Sequence, residues 1–376
     1  MIKILQGNCL DKLKELPDQS INTCITSPPY WGLRDYGEDK QLGMEDTPEE
    51  FVNNLVEVFR EVKRVLRDDG TVWLNLGDTY SATRWSNTPS TTGISQSYSD
   101  IVLQKKTKLP DKNLVGIPWR VAFALQQDGW YLRQDIIWHK PNPMPESVKD
   151  RCTKAHEYIF LLSKSPKYYF DNETIKEESK TKWNSNKISK QIKIIETNKM
   201  ENFRQGKGHH PDKVQSGRNK RSVWTVTTKP FKGAHFATFP MDLIEPCVLA
   251  GCPEKACVAC GKPYERVIQK QKSLKVERNK RSGTDDRKIG GVLDKYNREN
   301  PPIDLGLEKQ CNCETNETKS GTVLDPFGGS GTTGIVASNH NRKAVLIELN
   351  TEYIEIARQR IQDQGGLFTD LEILGG

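Results

Sequence analysis

The clearest chemical signal in this sequence is a run of four residues, Ser27, Pro28, Pro29 and Tyr30, which follows the apolar stretch INTCIT. Such a stretch predicts a buried strand, so the four residues are expected where that strand ends. Because proline rings fix φ, the Ser27 hydroxyl and the Pro28 carbonyl would be rigid hydrogen-bond acceptors. Acceptors facing the N–H groups of an exocyclic base amine would free its lone pair to attack an electrophilic methyl group. Tyr30 would stack on a base rotated out of its duplex, and Trp31 would help to wall that pocket.

A glycine-rich turn late in the chain is the second signal. In DPFGGSGTTG, the residues Gly329, Gly331 and Gly334 have the spacing G-x-G-x-x-G between an expected strand and an expected helix. Glycines at such a turn let the backbone approach a ligand at a helix amino terminus. Glu348 ends the next expected strand, about twenty residues after Gly329, where a carboxylate can bind ribose hydroxyls. The pattern predicts an adenosine-containing cofactor. A dinucleotide, and with it an NAD-dependent oxidoreductase, is the alternative.

Four cysteines form a third group. Cys257 and Cys260, in CVACG, have the spacing of a zinc-knuckle turn, and CNC supplies Cys311 and Cys313. Four thiolates would hold zinc in a closed tetrahedral site, which is structural rather than catalytic. Cys252 is an alternative ligand, and four reduced cysteines without metal are the alternative interpretation. The pattern predicts a zinc site that clamps the base of a long insertion.

Alternating helices and strands are expected to position these groups. The clearest helix is TPEEFVNNLVEVFREVKRVLRDDG, with Thr47 as N-cap, Pro48 as the first helical residue and Gly70 at its end. WYLRQDIIWH and HEYIFLLSK predict two strands close enough in sequence to form an antiparallel pair. After residues 171–230 the alternation resumes with GTVLDPFGGSGTTGIVASNHNRKAVLIELN. This order predicts an α/β protein with a doubly wound, mostly parallel sheet, in which ligands bind at the carboxyl ends of the strands.

The net charge of +7 is concentrated in two segments. Residues 171–232 contain 15 lysines and arginines against 7 acidic residues, and residues 262–300 contain 12 against 6. Basic insertions of this kind indicate a polyanionic partner, because phosphate contacts supply most of the sequence-independent affinity for nucleic acid. Candidates for phosphate contacts are Arg204, Lys207, Arg218, Lys220 and Arg221.

No stretch of the sequence approaches the roughly 18 apolar residues that span a bilayer. The segment MIKILQGNCLDKLKELP is typical of a strand and a helix rather than of a signal peptide. We therefore expect a cytoplasmic protein without a membrane partner and with reduced cysteines.

Together, TSPPYW and DPFGGSGTT resemble the amino-methylating DNA methyltransferases that use S-adenosylmethionine. The catalytic motif precedes the cofactor motif, the circularly permuted order of the beta group. The resemblance covers residues 1–170, 222–255 and 320–362. It implies a Rossmann-like methyltransferase fold, base flipping, double-stranded DNA as substrate and a restriction-modification context. It leaves open a cognate restriction endonuclease as a further partner and does not give the oligomeric state.

The resemblance also implies roles for individual residues. The catalytic ones are Ser27, Pro28, Pro29 and Tyr30. The cofactor-binding ones are Asn8, Asp325, Phe327, Gly329, Gly331, Thr332, Thr333 and Glu348. Asp325 and Phe327 would lie at the methionine end of the cofactor with the two glycines, and Glu348 at the ribose. Asn8 would lie near the adenine, although many relatives have Asp there.

Serine at the first position of the catalytic motif resembles the cytosine-N4 branch, whereas adenine-N6 enzymes more often have an acidic or amide residue. A hydroxyl can also both donate and accept, which suits a ring nitrogen beside the amine. The favoured interpretation is an N4-cytosine DNA methyltransferase. The alternatives are an adenine-N6 enzyme, an NAD-dependent oxidoreductase and a non-catalytic, zinc-bearing DNA-binding protein.

These patterns divide the chain into five expected segments. They are residues 1–170, the catalytic half of the methyltransferase domain; 171–230, a basic insertion for target recognition; 231–256, a return to the core; 257–313, a zinc-binding insertion; and 314–376, the S-adenosylmethionine-binding half.

Overall fold

The computed structural model describes residues 1–32, 41–81, 108–177, 218–228, 239–269, 302–365 and 370–375. Its helices are α1 (Cys9–Glu15), α2 (Pro48–Val65), α3 (Ile117–Gln127), α4 (Met241–Gly251), α5 (Thr332–Asn339) and α6 (Thr351–Gly365). Its strands are β1 (Ile2–Gln6), β2 (Ile21–Thr26), β3 (Leu66–Leu76), β4 (Tyr131–His139), β5 (His156–Ser163), β6 (Val223–Thr225), β7 (Ala256–Cys257), β8 (Glu265–Gln269), β9 (Ile303–Glu308), β10 (Thr318–Lys319), β11 (Thr322–Asp325), β12 (Lys343–Glu348) and β13 (Leu371–Leu374).

A nine-stranded sheet in the order β13-β1-β12-β11-β2-β3-β5-β4-β6 organises the described residues. Every strand in it runs in one direction except β5, which is antiparallel to both β3 and β4. The prediction of a mostly parallel, doubly wound sheet is confirmed. The strand order reverses between β11 and β2, which pair in parallel with Leu324 opposite Cys24. A reversal of this kind opens a crevice at the carboxyl ends of the two strands, where ligands bind in such sheets.

Helix α2 covers one face of the sheet and confirms the most detailed helix prediction. The Thr47 side chain accepts a hydrogen bond from the Glu50 N–H (3.2 Å), and Pro48 is the first helical residue. The helix ends at Val65 rather than near Gly70, because Leu66 is already extended and begins β3. Its apolar stripe joins the main hydrophobic core with residues of α1 and α3.

Helix α4 covers the opposite face of the same strands. At Gly251 an added Cβ would lie 2.6 Å from Trp73 Nε1 and 2.9 Å from the hydroxyls of Thr23 and Thr71. The side chains of consecutive residues in a strand point to opposite faces of the sheet. These three side chains therefore face α4, while Cys24 and Val72 face the core under α2. The glycine therefore lets α4 approach closely, and the central strands β2 and β3 are buried on both faces along most of their length.

The predicted antiparallel pair is confirmed by β4 and β5, in which His139 lies opposite His156. Edge strand β6 pairs in parallel with β4. Its residues Val223–Thr225 belong to the main sheet, although the charge pattern assigns them to the basic insertion.

Contacts divide the chain into two units. The first consists of Met1–Thr174, Arg221–Glu265 and Lys309–Gly376, and the second of Ile175–Lys220 and Arg266–Glu308. The first unit contains the nine-stranded sheet.

In the described part of the second unit, Arg218 pairs with Glu177 (3.0 Å) and Arg266 pairs with Asp304 (2.8 Å). Two of the candidate phosphate-binding residues, Arg204 and Lys207, lie outside the described residues. None of the described helices meets the length and apolarity required to cross a bilayer.

Candidate active site

The structure brings the two predicted loops together at the reversal of strand order. Thr26, the last residue of β2, donates a hydrogen bond from Oγ1 to Asp325 Oδ1 at 2.6 Å, and Asp325 is the last residue of β11. Ser27 follows the first of these residues and Pro326 follows the second. The SPPY segment and the glycine-rich turn therefore begin side by side, although nearly 300 residues separate them in the chain.

Asp325 links these two loops from inside the protein, where its side chain is 1% exposed. Besides the bond from Thr26, its carboxylate accepts hydrogen bonds from Thr333 Oγ1 (2.6 Å) and from the Phe327 N–H (3.1 Å). Burial, and to a smaller extent nearby Glu348, raises the pKa of this carboxyl to about 7 against the lowering effect of these three donors. Most of the hydrogen-bonding capacity of Asp325 is thus used within the protein.

The glycine-rich turn has the form of a cradle for a ligand. Gly331, at φ +77°, is the N-cap of α5, and an added Cβ would lie 3.1 Å from the Ala357 Cβ of α6. Gly329, at φ +49°, has nothing closer to an added Cβ than a carbonyl oxygen at 3.9 Å. The Gly329 N–H donates to Glu348 Oε2 at 2.7 Å, and the Asn350 N–H donates to Oε1 at 2.9 Å. Both oxygens of Glu348 are thus fixed at this turn by backbone N–H groups, and a carboxylate at this position is of the type that binds ribose hydroxyls.

The two threonines that open α5 are buried. Thr333 donates to Asp325, as described above, and Thr332 Oγ1 accepts a hydrogen bond from Arg360 Nη1 at 3.1 Å. The same guanidinium donates to the Ser330 carbonyl at 2.6 Å, and burial lowers the pKa of Arg360. Arg360 on α6 therefore holds the turn in shape, a role that nothing in its local sequence indicates.

Asn8 and Phe327 are the two remaining predicted cofactor-binding residues. Asn8 Oδ1 accepts a hydrogen bond from the Leu10 N–H (2.9 Å) as the N-cap of α1. It follows β1, whose Gln6 lies opposite Glu348, so Asn8 is at the same edge of the sheet as the predicted ribose carboxylate. Phe327 is half-buried against the core. The predicted cofactor-binding residues thus lie at one edge of the sheet, at the carboxyl ends of β1, β11 and β12, and their chemistry fits an adenosine-containing cofactor.

The SPPY segment leaves β2 with Pro28 buried and with Ser27, Pro29 and Tyr30 half-buried. The Tyr30 hydroxyl donates a hydrogen bond to Glu157 Oε2 on β5 at 2.7 Å. The expectation that Trp31 walls the base pocket is wrong. Its side chain is 1% exposed in the main core, where Nε1 donates to the Glu45 carbonyl at 2.8 Å.

The four predicted cysteine ligands also come together. The Sγ atoms of Cys257, Cys260, Cys311 and Cys313 all lie within 4.8 Å of one another. A tetrahedral ZnS₄ centre with Zn–S bonds of about 2.3 Å has sulfurs about 3.8 Å apart, so the cluster is of the right size. Cys252 is not part of this group: it lies at the end of α4, where its Sγ is beside Gly321 rather than among the four clustered sulfurs.

This cluster lies at the edge of the sheet opposite the crevice. The Cys260 carbonyl accepts a hydrogen bond from Arg67 Nη1 (3.3 Å), and Arg67 is the second residue of β3. The amino ends of parallel strands are opposite their carboxyl ends, so the cysteines are remote from Ser27. Gly261, at φ +70°, completes the knuckle by donating from its N–H to the Cys257 carbonyl at 2.8 Å.

Known DNA methyltransferases are similar in sequence to this chain over nearly its whole length. The family model N6_N4_Mtase, described as DNA methylase, matches residues 21–259 and 307–359. The Type II methyltransferase M.Cfr9I of Citrobacter freundii is 39% identical over 364 residues, which are 96% of this chain and 88% of that protein. The Type II methyltransferase M.SmaI of Serratia marcescens is 37% identical over 362 residues, 96% of this chain and 90% of that protein.

Solved structures share the fold at low sequence identity. The PvuII DNA methyltransferase (cytosine-N4-specific) superposes with a TM-score of 0.51 at 16% identity, over 96% of this chain and 89% of that one. A putative DNA modification methylase from Thermus thermophilus, complexed with S-adenosyl-L-methionine, superposes with a TM-score of 0.50 at 19% identity, over 100% of both chains.

Proposed function

Because this chain belongs to the N6/N4 DNA methylase family, and is thus an S-adenosylmethionine-dependent DNA methyltransferase, we propose that it methylates the N4 amine of a cytosine flipped out of double-stranded DNA. One observation carries the proposal. The Thr26–Asp325 hydrogen bond (2.6 Å) places the start of the SPPY segment beside the glycine-rich turn. An amine held by the first loop would then face a methyl donor held by the second.

The residues of the SPPY segment prepare the amine for attack. Ser27 Oγ and the Pro28 carbonyl accept its N–H groups, which favours a pyramidal nitrogen with a free lone pair. When bound, S-adenosylmethionine supplies an electrophilic methyl group on its sulfonium. Tyr30 stacks on the flipped base, and the two prolines keep the acceptors in place without rearrangement during the reaction. In the net transfer the amine nitrogen would gain the methyl group, the cofactor would be left as a neutral thioether, and the amine would lose one proton, which the hydrogen bond to Ser27 Oγ would direct to solvent water.

Ser27 supports cytosine over adenine, since the adenine-N6 branch more often has an acidic or amide residue at this position. Incubation with double-stranded DNA and methyl-labelled S-adenosylmethionine, followed by digestion to nucleosides, tests the choice. N4-methylcytosine is the expected product, whereas N6-methyladenine would overturn the base assignment. Ser27→Ala should lose most turnover and retain cofactor binding, and Ser20→Ala, an exposed serine before β2, is the matched control. Unchanged turnover in Ser27→Ala would remove Ser27 from the mechanism.

Residues 171–230 are proposed to recognise the target sequence, and the methyl mark to block a cognate restriction endonuclease. Arg218, Lys220 and Arg221 are the described residues of this segment proposed to contact phosphate. Replacing Lys220 by Ala should weaken binding to all DNA sequences equally and reduce the salt dependence of binding. A change in which sequence is methylated would instead assign that residue to base contacts.

We further propose that the four clustered cysteines hold one structural zinc ion. The support is the compact arrangement of four sulfurs and a knuckle anchored to β3 through Arg67. Protein prepared with zinc should contain one metal per chain by mass spectrometry, and Cys313→Ser should lose it. Cys152→Ser is the control, since Cys152 is exposed and outside the cluster. Metal content unaffected by Cys313→Ser would contradict the site.

A further inference from the structure

We propose that Glu157 is a positioning residue which, with Asn75 and Gly77, holds the Tyr30 ring in the plane needed to stack on the flipped base. This inference rests on the proposed role of Tyr30. Glu157 and its two companions lie outside the SPPY segment, the glycine-rich turn and the cysteine cluster, and the three are brought to Tyr30 only by the sheet.

The hydroxyl end of Tyr30 is held by a carboxylate. Tyr30 Oη donates to Glu157 Oε2 at 2.7 Å, and Asn75 Nδ2 donates to the same oxygen at 3.3 Å. Asn75 is 4% exposed and is itself fixed by a second bond, from Nδ2 to the Tyr158 carbonyl at 3.0 Å. A hydrogen bond to a carboxylate is about twice as strong as one between neutral groups. The phenol is therefore held by an acceptor that is itself restrained.

The other oxygen of Glu157 is paired as well. Lys140 Nζ forms an ion pair with Oε1, and both side chains are largely buried, at 20% and 15% exposure. The same ammonium lies 4.2 Å from the centroid of the Trp138 ring. Each carboxylate oxygen thus has a partner that resists rotation of the Glu157 side chain.

Gly77 restrains Tyr30 along the side of its ring. An added Cβ at Gly77 would lie 2.5 Å from Tyr30 Cε2, 3.0 Å from Cδ2 and 3.2 Å from Cζ. The ring therefore occupies space that any other residue at position 77 would need. Tyr30 is thus held at its hydroxyl and along one side of its ring, and the residue as a whole is half-buried.

Such restraint matters because a stacking partner that rotates freely must be ordered when the base arrives. Prior fixation of the ring removes this entropic penalty from the reactive complex. Loss of the Glu157 acceptor should therefore slow methyl transfer and base capture without changing the cofactor crevice, which is built from β1, β11 and β12.

The test compares Glu157→Ala, Glu157→Gln, Tyr30→Phe and the double variant Tyr30→Phe/Glu157→Ala. Single-turnover methylation and the fluorescence of 2-aminopurine placed at the target base are measured, together with S-adenosylmethionine binding. Glu157→Ala should slow methylation about tenfold and reduce the 2-aminopurine signal, with cofactor affinity unchanged. Glu157→Gln keeps an acceptor oxygen and should recover most of the rate. The double variant should be no slower than the slower single one, because both remove the same hydrogen bond.

Two outcomes would overturn the inference. One is multiplicative losses in the double variant, and the other is wild-type rates in Glu157→Ala. Tyr30→Ala separates this failure from that of the proposed function. If Tyr30→Ala is slow and Glu157→Ala is not, only the positioning role is wrong. If Tyr30→Ala is also unaffected, the stacking role itself is wrong. Glu355→Ala, which removes an exposed carboxylate paired with Arg358 on α6, is the matched control.

Discussion

Asp325 is expected to make the stability of this protein depend on pH in an unusual direction. A carboxyl group of this kind ordinarily has a pKa near 3.8, and burial raises that of Asp325 to about 7. At a pH well below this ordinary pKa, the carboxyl group is protonated in both the folded and the unfolded chain. As pH rises from about 4 to about 7, the unfolded chain loses this proton while the folded chain keeps it, so the contribution to stability falls. Three pKa units correspond to a loss on the order of 4 kcal/mol above about pH 7.

Replacing Asp325 by Asn removes the titration and preserves the contacts. The amide oxygen can still accept from Thr26 Oγ1 and from the Phe327 N–H, and the amide nitrogen can donate to Thr333 Oγ1, whose hydroxyl also accepts. We therefore expect the Asp325→Asn variant to match the parent near pH 4 and to exceed its free energy of unfolding by several kcal/mol at about pH 8.

Urea denaturation of both proteins between about pH 4 and pH 8 measures this difference. The other carboxylates titrate in both proteins, so the difference between the two isolates Asp325. A difference that does not change with pH, or a variant less stable than the parent at the alkaline end, would refute the reasoning. Isothermal titration of S-adenosylmethionine gives a second readout. The cofactor carries a positive sulfonium, so we expect the neutral variant to bind it more weakly at about pH 8.

Three further changes have expected outcomes. Glu348→Ala should weaken S-adenosylmethionine binding by about 1.5–3 kcal/mol, measured by calorimetry, because it removes the acceptor for the Gly329 N–H as well as that for the ribose. Glu348→Gln keeps one acceptor oxygen and should lose less, and equal losses in the two variants would show that the neutral acceptor oxygen contributes nothing to cofactor binding. Gly251→Ala should lower the free energy of unfolding by about 1–3 kcal/mol, since its Cβ would lie 2.6 Å from Trp73 Nε1, and an unchanged urea midpoint would contradict the close packing of α4. Trp31→Ala should lower the free energy of unfolding by about 3–5 kcal/mol, because Trp31 is a core residue. Loss of activity without loss of stability would instead indicate that Trp31 lines the base pocket.

Much of this fold was predictable from local patterns. Thr47, Pro48 and the apolar stripe after them predict α2 because capping and amphipathic periodicity act within a few residues. The end of α2 was not predictable in the same way. Residues 66–70 continue a charged, helix-compatible stretch, but Leu66 is drawn into β3 by its place in the sheet, and pairing with a distant strand overrides local preference.

The functional groups of the site show the same difference between what local sequence predicts and what distant contacts decide. The sequence by itself determined which groups are available: acceptors stiffened by prolines at Ser27 and Pro28, a glycine-rich turn with Glu348 at the end of the next strand, and two closely spaced pairs of free cysteines. Only the tertiary structure decided which of them meet. It joined Thr26 to Asp325, Glu157 to Tyr30 and Cys260 to Arg67, and it placed Trp31 in the core. The physical reason is that residue type and spacing set local conformation, whereas contacts between residues far apart in the chain depend on the order in which strands pair.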